Sequence, residues 1–168
     1  MNARQLTNVA LLVALSGVGS FVKLAPWTIA IGDAGPWSIA LDTAPGFFAA
    51  LMIGPAEGAL VCLLGHLVAA AINGFPLTPV FHMELALALA AVGAVGGFCR
   101  RLIGRLNATL IMILLYCLAC PGVLALLPNP MGRALYGYLI FPMIFGATAN
   151  GLVAGGAAEI LERSRRRQ

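Results

Sequence analysis

The chain has 168 residues, of which 61% are hydrophobic and only 10% are charged, and its net charge is +4. Soluble domains carry about 25% charged residues, so this composition excludes a water-facing globular surface and predicts lipid as the main solvent. A helix crossing the hydrocarbon core needs about 20 apolar residues. The length therefore allows at most about six spans and leaves no room for a further soluble domain.

Six apolar segments follow one another along the chain, and each predicts a membrane-spanning helix. Residues 25–37, after the first segment, form a connection rich in Pro, Gly and Trp, and residues 73–79 form a loop with two prolines. The predicted fold class is thus an all-α membrane protein with one six-helix domain over residues 1–168. The segments run from about Leu6 to Leu24, Ser38 to Ile53, Ala59 to Ile72, Phe81 to Phe98, Ala108 to Leu127 and Leu135 to Ile160.

The placement of basic residues predicts the orientation of these spans. Six spans put both termini on one side of the membrane, and eight of the ten basic residues then share that side. Cytoplasmic loops carry the excess of Lys and Arg, so both termini are expected in the cytoplasm of a multi-pass plasma-membrane protein. The basic C-terminal tail is interpreted as a topology signal and not as a nucleic-acid-binding segment. The eight residues are Arg4, Arg100, Arg101, Arg105, Arg163, Arg165, Arg166 and Arg167, and the other two are Lys23 and Arg133.

Polar and aromatic side chains collect near the predicted outer ends of the second, third and fourth segments. Ionisable residues inside a span are costly and are therefore functional candidates. Aromatic surface with a few directed polar groups suits a small-molecule pocket. His66 is expected near the middle of the third segment, and the other candidates in the outer half. The candidate substrate-binding residues are Trp37, Asp42, His66, Asn73, Thr78, Phe81, His82 and Glu84.

Each type of candidate also has a purely structural interpretation. Asp42 and Glu84 suit the first turn of a helix, where acidic side chains are favourable. His66 is also a candidate for a hydrogen bond to a neighbouring helix, and Trp37 for the interfacial aromatic belt. The residues alone leave both interpretations open.

Motifs for catalysis, metal binding and nucleotide binding are absent from the sequence. The sole lysine, Lys23, follows Val22 and not the glycine of a P-loop. Cys117 and Cys120 have metal-ligand spacing, but they lie in an uncharged apolar run without a second cysteine pair. The chain is therefore expected to have no enzymatic activity, no metal and no cofactor, and no means of coupling ATP hydrolysis by itself.

Several short motifs together resemble the S component, the substrate-binding membrane subunit, of energy-coupling factor (ECF) transporters. The resemblance covers the whole chain. Ala10 and Ala14 lie four residues apart on the first segment, so that they share a helix face that another helix can approach closely. The other matching motifs are Ala40-Leu41-Asp42-Thr43-Ala44-Pro45, Gly54-Pro55-x-x-Gly58, Gly65-His66-Leu67 and the loop from Gly74-Phe75-Pro76 to Phe81-His82.

This resemblance implies a function and partners. In the family, the Ala-x-x-x-Ala face docks on a transmembrane T component that two ATPases drive, which implies this role for Ala10 and Ala14. It also implies that the first connection and the loop of residues 73–79 gate a pocket for a vitamin or vitamin precursor. The Gly-His-Leu and Gly-Phe-Pro-Leu motifs look most like members assigned to α-ribazole, and members for hydroxymethylpyrimidine, thiazole and pantothenate have similar loops.

Two other functions remain open from the sequence. A proton-coupled small-molecule carrier would use Asp42, His66 and Glu84 as a relay, although such carriers usually contain paired repeats and none is visible here. A non-transporting membrane scaffold would bind no ligand, and it would tolerate alanine at Asp42 and His82.

Overall fold

In the computed structural model, the part of the chain that the structure describes contains six helices. The backbone is described for residues 1–22, 29–30, 36–37, 40–75, 78–126 and 130–168, and side chains for residues 1–22, 40–75, 78–118, 122 and 143–168. The helices are α1 (Ala3–Gly19), α2 (Ala44–Met52), α3 (Pro55–Ile72), α4 (Pro79–Ile103), α5 (Arg105–Leu126) and α6 (Pro130–Arg166).

The prediction of a helical fold with six helices is confirmed for the described residues, with one addition in the connection after α1. There, β1 (Ile29–Ala30) pairs antiparallel with β2 (Pro36–Trp37) in a ribbon of two residues per strand. The second helix is shorter than predicted, because it begins at Ala44 and not near Ser38. Asp42 therefore lies in a bend before α2 and not within the helix.

Local capping signals explain most of the helix ends. Asn2 and Gln5 form a reciprocal capping box at the start of α1. Thr78 caps α4 by accepting a hydrogen bond from the backbone N–H of Phe81 at 3.1 Å, and Pro79 then opens the helix. α4 ends at Gly104, whose φ of 81° is the left-handed conformation that glycine adopts without strain.

The arginine-bearing helix ends meet at one end of the bundle, here called the basic end. Arg105, at the start of α5, donates a hydrogen bond to Glu162 of α6 at 3.0 Å and lies 4.0 Å from the sulfur of Met52 at the end of α2. Gln5 of α1 donates to the buried carboxylate of Glu57 in the first turn of α3 at 3.1 Å. The helices that meet at this end thus alternate in direction along the chain.

The described outer surface is apolar. Three helices, Pro55–Ile72, Pro79–Ile103 and Met143–Arg166, are long and apolar enough to cross a membrane, and Arg105–Leu118 is a shorter apolar helix. Large apolar side chains stand exposed on α1, α4, α5 and α6, where water would make a continuous patch of this kind unfavourable. This is the surface of a membrane protein. Examples are Leu6, Leu15, Leu87, Leu110, Leu114, Leu118 and Leu152.

Helices α3 and α4 approach so closely that two glycines of α4 have no room for a side chain. A Cβ atom added at Gly93 would lie 2.7 Å from the carbonyl oxygen of Gly58. One added at Gly97 would lie 2.6 Å from the Cα atom of Pro55. Small residues permit this backbone-to-backbone packing in membrane helices.

Substituting Gly97 with alanine should therefore lower the stability of the purified protein by about 1–3 kcal/mol, the usual cost of overpacking. Gly156 of α6 is the matched control, because a Cβ there meets nothing within 4 Å. Gly156→Ala should leave stability unchanged or raise it by up to about 1 kcal/mol. Thermal unfolding in detergent compares the two, and equal melting temperatures would contradict the tight α3–α4 contact.

Candidate functional site

Asp42, His66 and His82 meet at the end of the bundle opposite the basic end. Nδ1 of His66 lies 3.5 Å from Oδ2 of Asp42, and Nε2 of His66 lies 3.2 Å from Nδ1 of His82. The three residues come from the bend before α2, from α3 and from the first turn of α4. They form a continuous row of polar atoms from a carboxylate through two imidazole rings, here called the Asp–His–His row.

His66 lies just past the midpoint of α3, towards the end of the bundle opposite the basic end. α3 has 18 residues and begins at Pro55, so a rise of 1.5 Å per residue places His66 about 17 Å along its axis, beyond the midpoint. The sequence predicts a position near the middle of the third segment, and the structure brings His66 into contact with Asp42 and His82.

The Asp–His–His row is largely buried. His82 is 5% exposed, and the side chains of His66 and Asp42 are 11% and 17% exposed. Within the described part of the chain, three buried side-chain atoms have no hydrogen-bond partner: Nδ1 of His66, which lies only at ion-pair distance from Asp42, Nε2 of His82 and Oε2 of Glu84. A buried polar atom in this state is unfavourable and calls for a partner such as a ligand or an ordered water.

Two phenylalanines present ring edges and faces to the last imidazole of the row. The ring centroids of Phe75 and Phe81 lie 5.8 Å and 5.5 Å from that of His82, both in T-shaped arrangements. Phe75 has a φ of 49°, an uncommon backbone conformation for a residue other than glycine. Such strain often occurs at ligand sites, and Phe75 was not among the predicted residues. The Gly74-Phe75 step before a proline was the available signal.

Asn150 of α6 is a second residue that the sequence analysis missed. Its Oδ1 accepts hydrogen bonds from the backbone N–H groups of Thr43 at 3.1 Å and Ala44 at 2.7 Å. Its Nδ2 donates to the carbonyl groups of Ala40 at 2.9 Å and Gly146 at 2.8 Å. Asn150 is 1% exposed, so a buried amide from a distant helix caps α2 and holds the backbone on both sides of Asp42. A lone amide inside an apolar span was the signal for it.

The structure does not place Asp42 or Glu84 as the cap of a helix. The cap of α2 comes from Asn150, so Asp42 is not needed for it. α4 has no acidic residue in its first turn, and Thr78 caps it. Glu84 follows later in the helix, half-buried.

The remaining candidates have local roles or fall partly outside the described residues. Asn73 ends α3 and donates a hydrogen bond to the carbonyl of Ala69 at 2.7 Å. Thr78 has the capping role already given. Trp37 belongs to β2, and its side chain lies outside the described residues. Among the described residues, no group of three His, Cys, Asp or Glu side chains is arranged to hold a metal ion.

Ala10 and Ala14 lie together on the exposed face of α1. The opposite face, with Ser16 and Gly17, packs against α3, where a Cβ at Gly65 would lie 2.5 Å from the Ser16 hydroxyl. The small residues therefore leave a shallow strip on the outside of the bundle, as the docking hypothesis requires.

The comparison with solved structures identifies the fold. No protein-family model matches the chain, and no curated protein matches it in sequence. The S component of a bacterial ECF transporter superposes with a TM-score of 0.64 at 17% sequence identity, covering 98% of this chain and 96% of that chain. The chain has the S-component fold. At this identity the likeness establishes the fold alone and assigns no role to an individual residue.

Proposed function

We propose that the protein is the substrate-binding subunit of an ECF-type importer in the plasma membrane. Its substrate is a vitamin or vitamin precursor, with α-ribazole the first candidate. The observation that supports this best is the buried Asp–His–His row, bordered by Phe75 and Phe81, at the end opposite the arginines. The S-component fold over 98% of the chain agrees with it.

The predicted ligand residues fit an aromatic base that carries a sugar. Phe81 supplies a buried aromatic surface next to His82, and base–aromatic contact is favourable and tolerant of the base. Polar atoms of the row bind hydroxyl or ring nitrogen groups. In this proposal the full set of ligand residues is Trp37, Asp42, His66, Asn73, Thr78, Phe81, His82 and Glu84.

The strip of Ala10 and Ala14 docks on a T component, and two ABC ATPase subunits of that complex supply the energy. The chain itself binds and does no chemistry on its substrate. Binding should therefore survive in the isolated chain, whereas uptake should require the partners.

A bulky residue in the strip separates binding from uptake and so tests the function. Ala14→Trp should reduce assembly with the T component and lower α-ribazole uptake at least tenfold, because two helices cannot approach across an indole. Its affinity for α-ribazole should not change. The control is Ala91→Trp, since Ala91 is exposed on α4 away from the strip. Uptake that is normal in Ala14→Trp, or independent of the ATPases, would contradict the importer.

Both termini are placed in the cytoplasm, so the Asp–His–His row opens to the outside. A phosphatase reporter, which is active only outside the cytoplasm, should be inactive when fused after Gln168. The same reporter inserted after Gly74 should be active. Activity at the C-terminus would reverse the bundle and remove the import direction.

A proton-coupled carrier is the second candidate, because the Asp–His–His row is also what a proton relay needs. The third member of the row is His82, whereas the sequence predicts Glu84 as the third member of such a relay. Uptake by such a carrier would collapse with an uncoupler and would not respond to loss of the ATPases. The two candidates are thus separated by one uptake experiment.

A further inference from the structure

The contact between the two histidines requires one ring to donate a hydrogen bond and the other to accept it. Nε2 of His66 and Nδ1 of His82 are 3.2 Å apart, a hydrogen-bond distance. A neutral imidazole has one N–H donor and one bare acceptor nitrogen. One of the two facing atoms must therefore be protonated and the other bare.

The position of Asp42 determines which of the two facing nitrogens carries the proton. The Asp42 carboxylate lies at ion-pair distance from His66, with Oδ2 of Asp42 3.5 Å from Nδ1 of His66 and no hydrogen bond between the two atoms. Its negative charge favours the proton of His66 on Nδ1, the nearer nitrogen. Nε2 of His66 is then bare and accepts the N–H of His82 Nδ1. The proton of His82 is thereby fixed on Nδ1, and its Nε2 is bare.

We propose that this coupling of the two tautomers, here called the relay, makes His82 Nε2 the anchor for a ligand that donates a hydrogen bond. The atom is buried without a partner among the described residues, on a residue that is 5% exposed and lies against Phe75 and Phe81. A bare nitrogen there favours an O–H or N–H group and rejects a carboxylate at this point. The existence of a ligand rests on the proposed function, whereas the tautomers do not.

The tautomers are directly measurable, because the chain has two histidines. Solid-state NMR of ¹⁵N-histidine-labelled protein in lipid distinguishes protonated from bare ring nitrogens, and His66→Gln assigns the signals. We expect both rings to carry the proton on Nδ1, with both Nε2 atoms bare. A proton on His82 Nε2 in the wild-type protein would overturn the proposal, and this result needs no variant of Asp42.

Removing the Asp42 carboxylate should reverse the tautomers of both histidines, including that of His82, which lies beyond His66 in the row. In Asp42→Ala nothing holds the His66 proton on Nδ1, so a His82 signal with protonated Nε2 should appear. Met83→Ala is the control, since Met83 is the exposed neighbour of His82, and it should leave both tautomers as in the wild type. A purely structural Asp42 would not change the His82 tautomer, so an unchanged tautomer in folded Asp42→Ala would overturn the relay.

The ligand step uses α-ribazole, whose hydroxyl groups are donors, as the probe. On saturation the bare His82 Nε2 signal should shift as it accepts a hydrogen bond and should stay unprotonated. Binding that leaves this signal unchanged, or that protonates it, would overturn the anchor. If the tautomers are as expected and α-ribazole does not bind, the relay is supported and the proposed substrate is wrong.

Discussion

Replacing His82 with alanine should lower the affinity for α-ribazole by roughly 10- to 100-fold. The substitution removes the unpartnered acceptor and also leaves Nε2 of His66 without its 3.2 Å contact. A lost hydrogen bond in a buried site costs about 1–3 kcal/mol, and each 1.4 kcal/mol corresponds to a factor of about ten. Equilibrium binding of labelled α-ribazole to the purified variant measures the change.

The adjacent residue provides the control. Met83 is 47% exposed on the outer face of α4, so Met83→Ala should bind α-ribazole as the wild type does. Thermal unfolding shows whether both variants are folded. Normal binding in folded His82→Ala would contradict the site, whereas a wild-type protein that binds no α-ribazole would favour the non-transporting scaffold. Native mass spectrometry of the wild-type protein gives an independent test, since a bound small molecule should co-purify.

Helix number and direction could be predicted from the sequence because both depend on local signals. Proline sits in the first turns of α2, α3 and α4, and each of these helices begins within a few residues of its proline. The arginines mark the helix ends that meet through Arg105 and Glu162. The start of α2 was wrong for a non-local reason: the N–H groups that begin it are satisfied from α6, over a hundred residues later in the chain.

Part of the site could be predicted for similar reasons, and part could not. Asp42 and His82 stand out because ionisable groups are rare in apolar segments. The contact of His66 with both depends on how α3 packs between α2 and α4, which the sequence does not encode locally. Phe75 looked like an ordinary loop residue because its positive φ is visible only in the fold.

Asn150→Ala should be the most destabilising substitution among those considered, at roughly 3–5 kcal/mol. It removes four hydrogen bonds of a side chain that is 1% exposed. Two backbone N–H groups at the start of α2 lose their acceptor, and each buried unsatisfied group costs about 1–3 kcal/mol. Thermal or denaturant unfolding in detergent measures the loss.

Thr148→Ala is the matched control, because Thr148 lies on the same helix and, among the described residues, its hydroxyl bonds back to the carbonyl of Ile144 at 2.8 Å. It should change stability by less than about 0.5 kcal/mol. Asn150→Asp tests the mechanism further. A carboxylate keeps the acceptor for the N–H groups of Thr43 and Ala44 and loses the donor to Ala40 and Gly146, so this variant should fall between the wild type and Asn150→Ala.

The effect of Asn150 on binding follows from the segment that it holds. Its bonds to Ala40, Thr43 and Ala44 fix the backbone on both sides of Asp42, and in our proposal Asp42 sets the tautomers of the two histidines. Asn150→Ala should therefore weaken α-ribazole binding at a temperature where the variant is still folded. If stability falls but affinity does not, Asn150 caps α2 without positioning Asp42. If neither changes, the four hydrogen bonds do not hold this end of the bundle together.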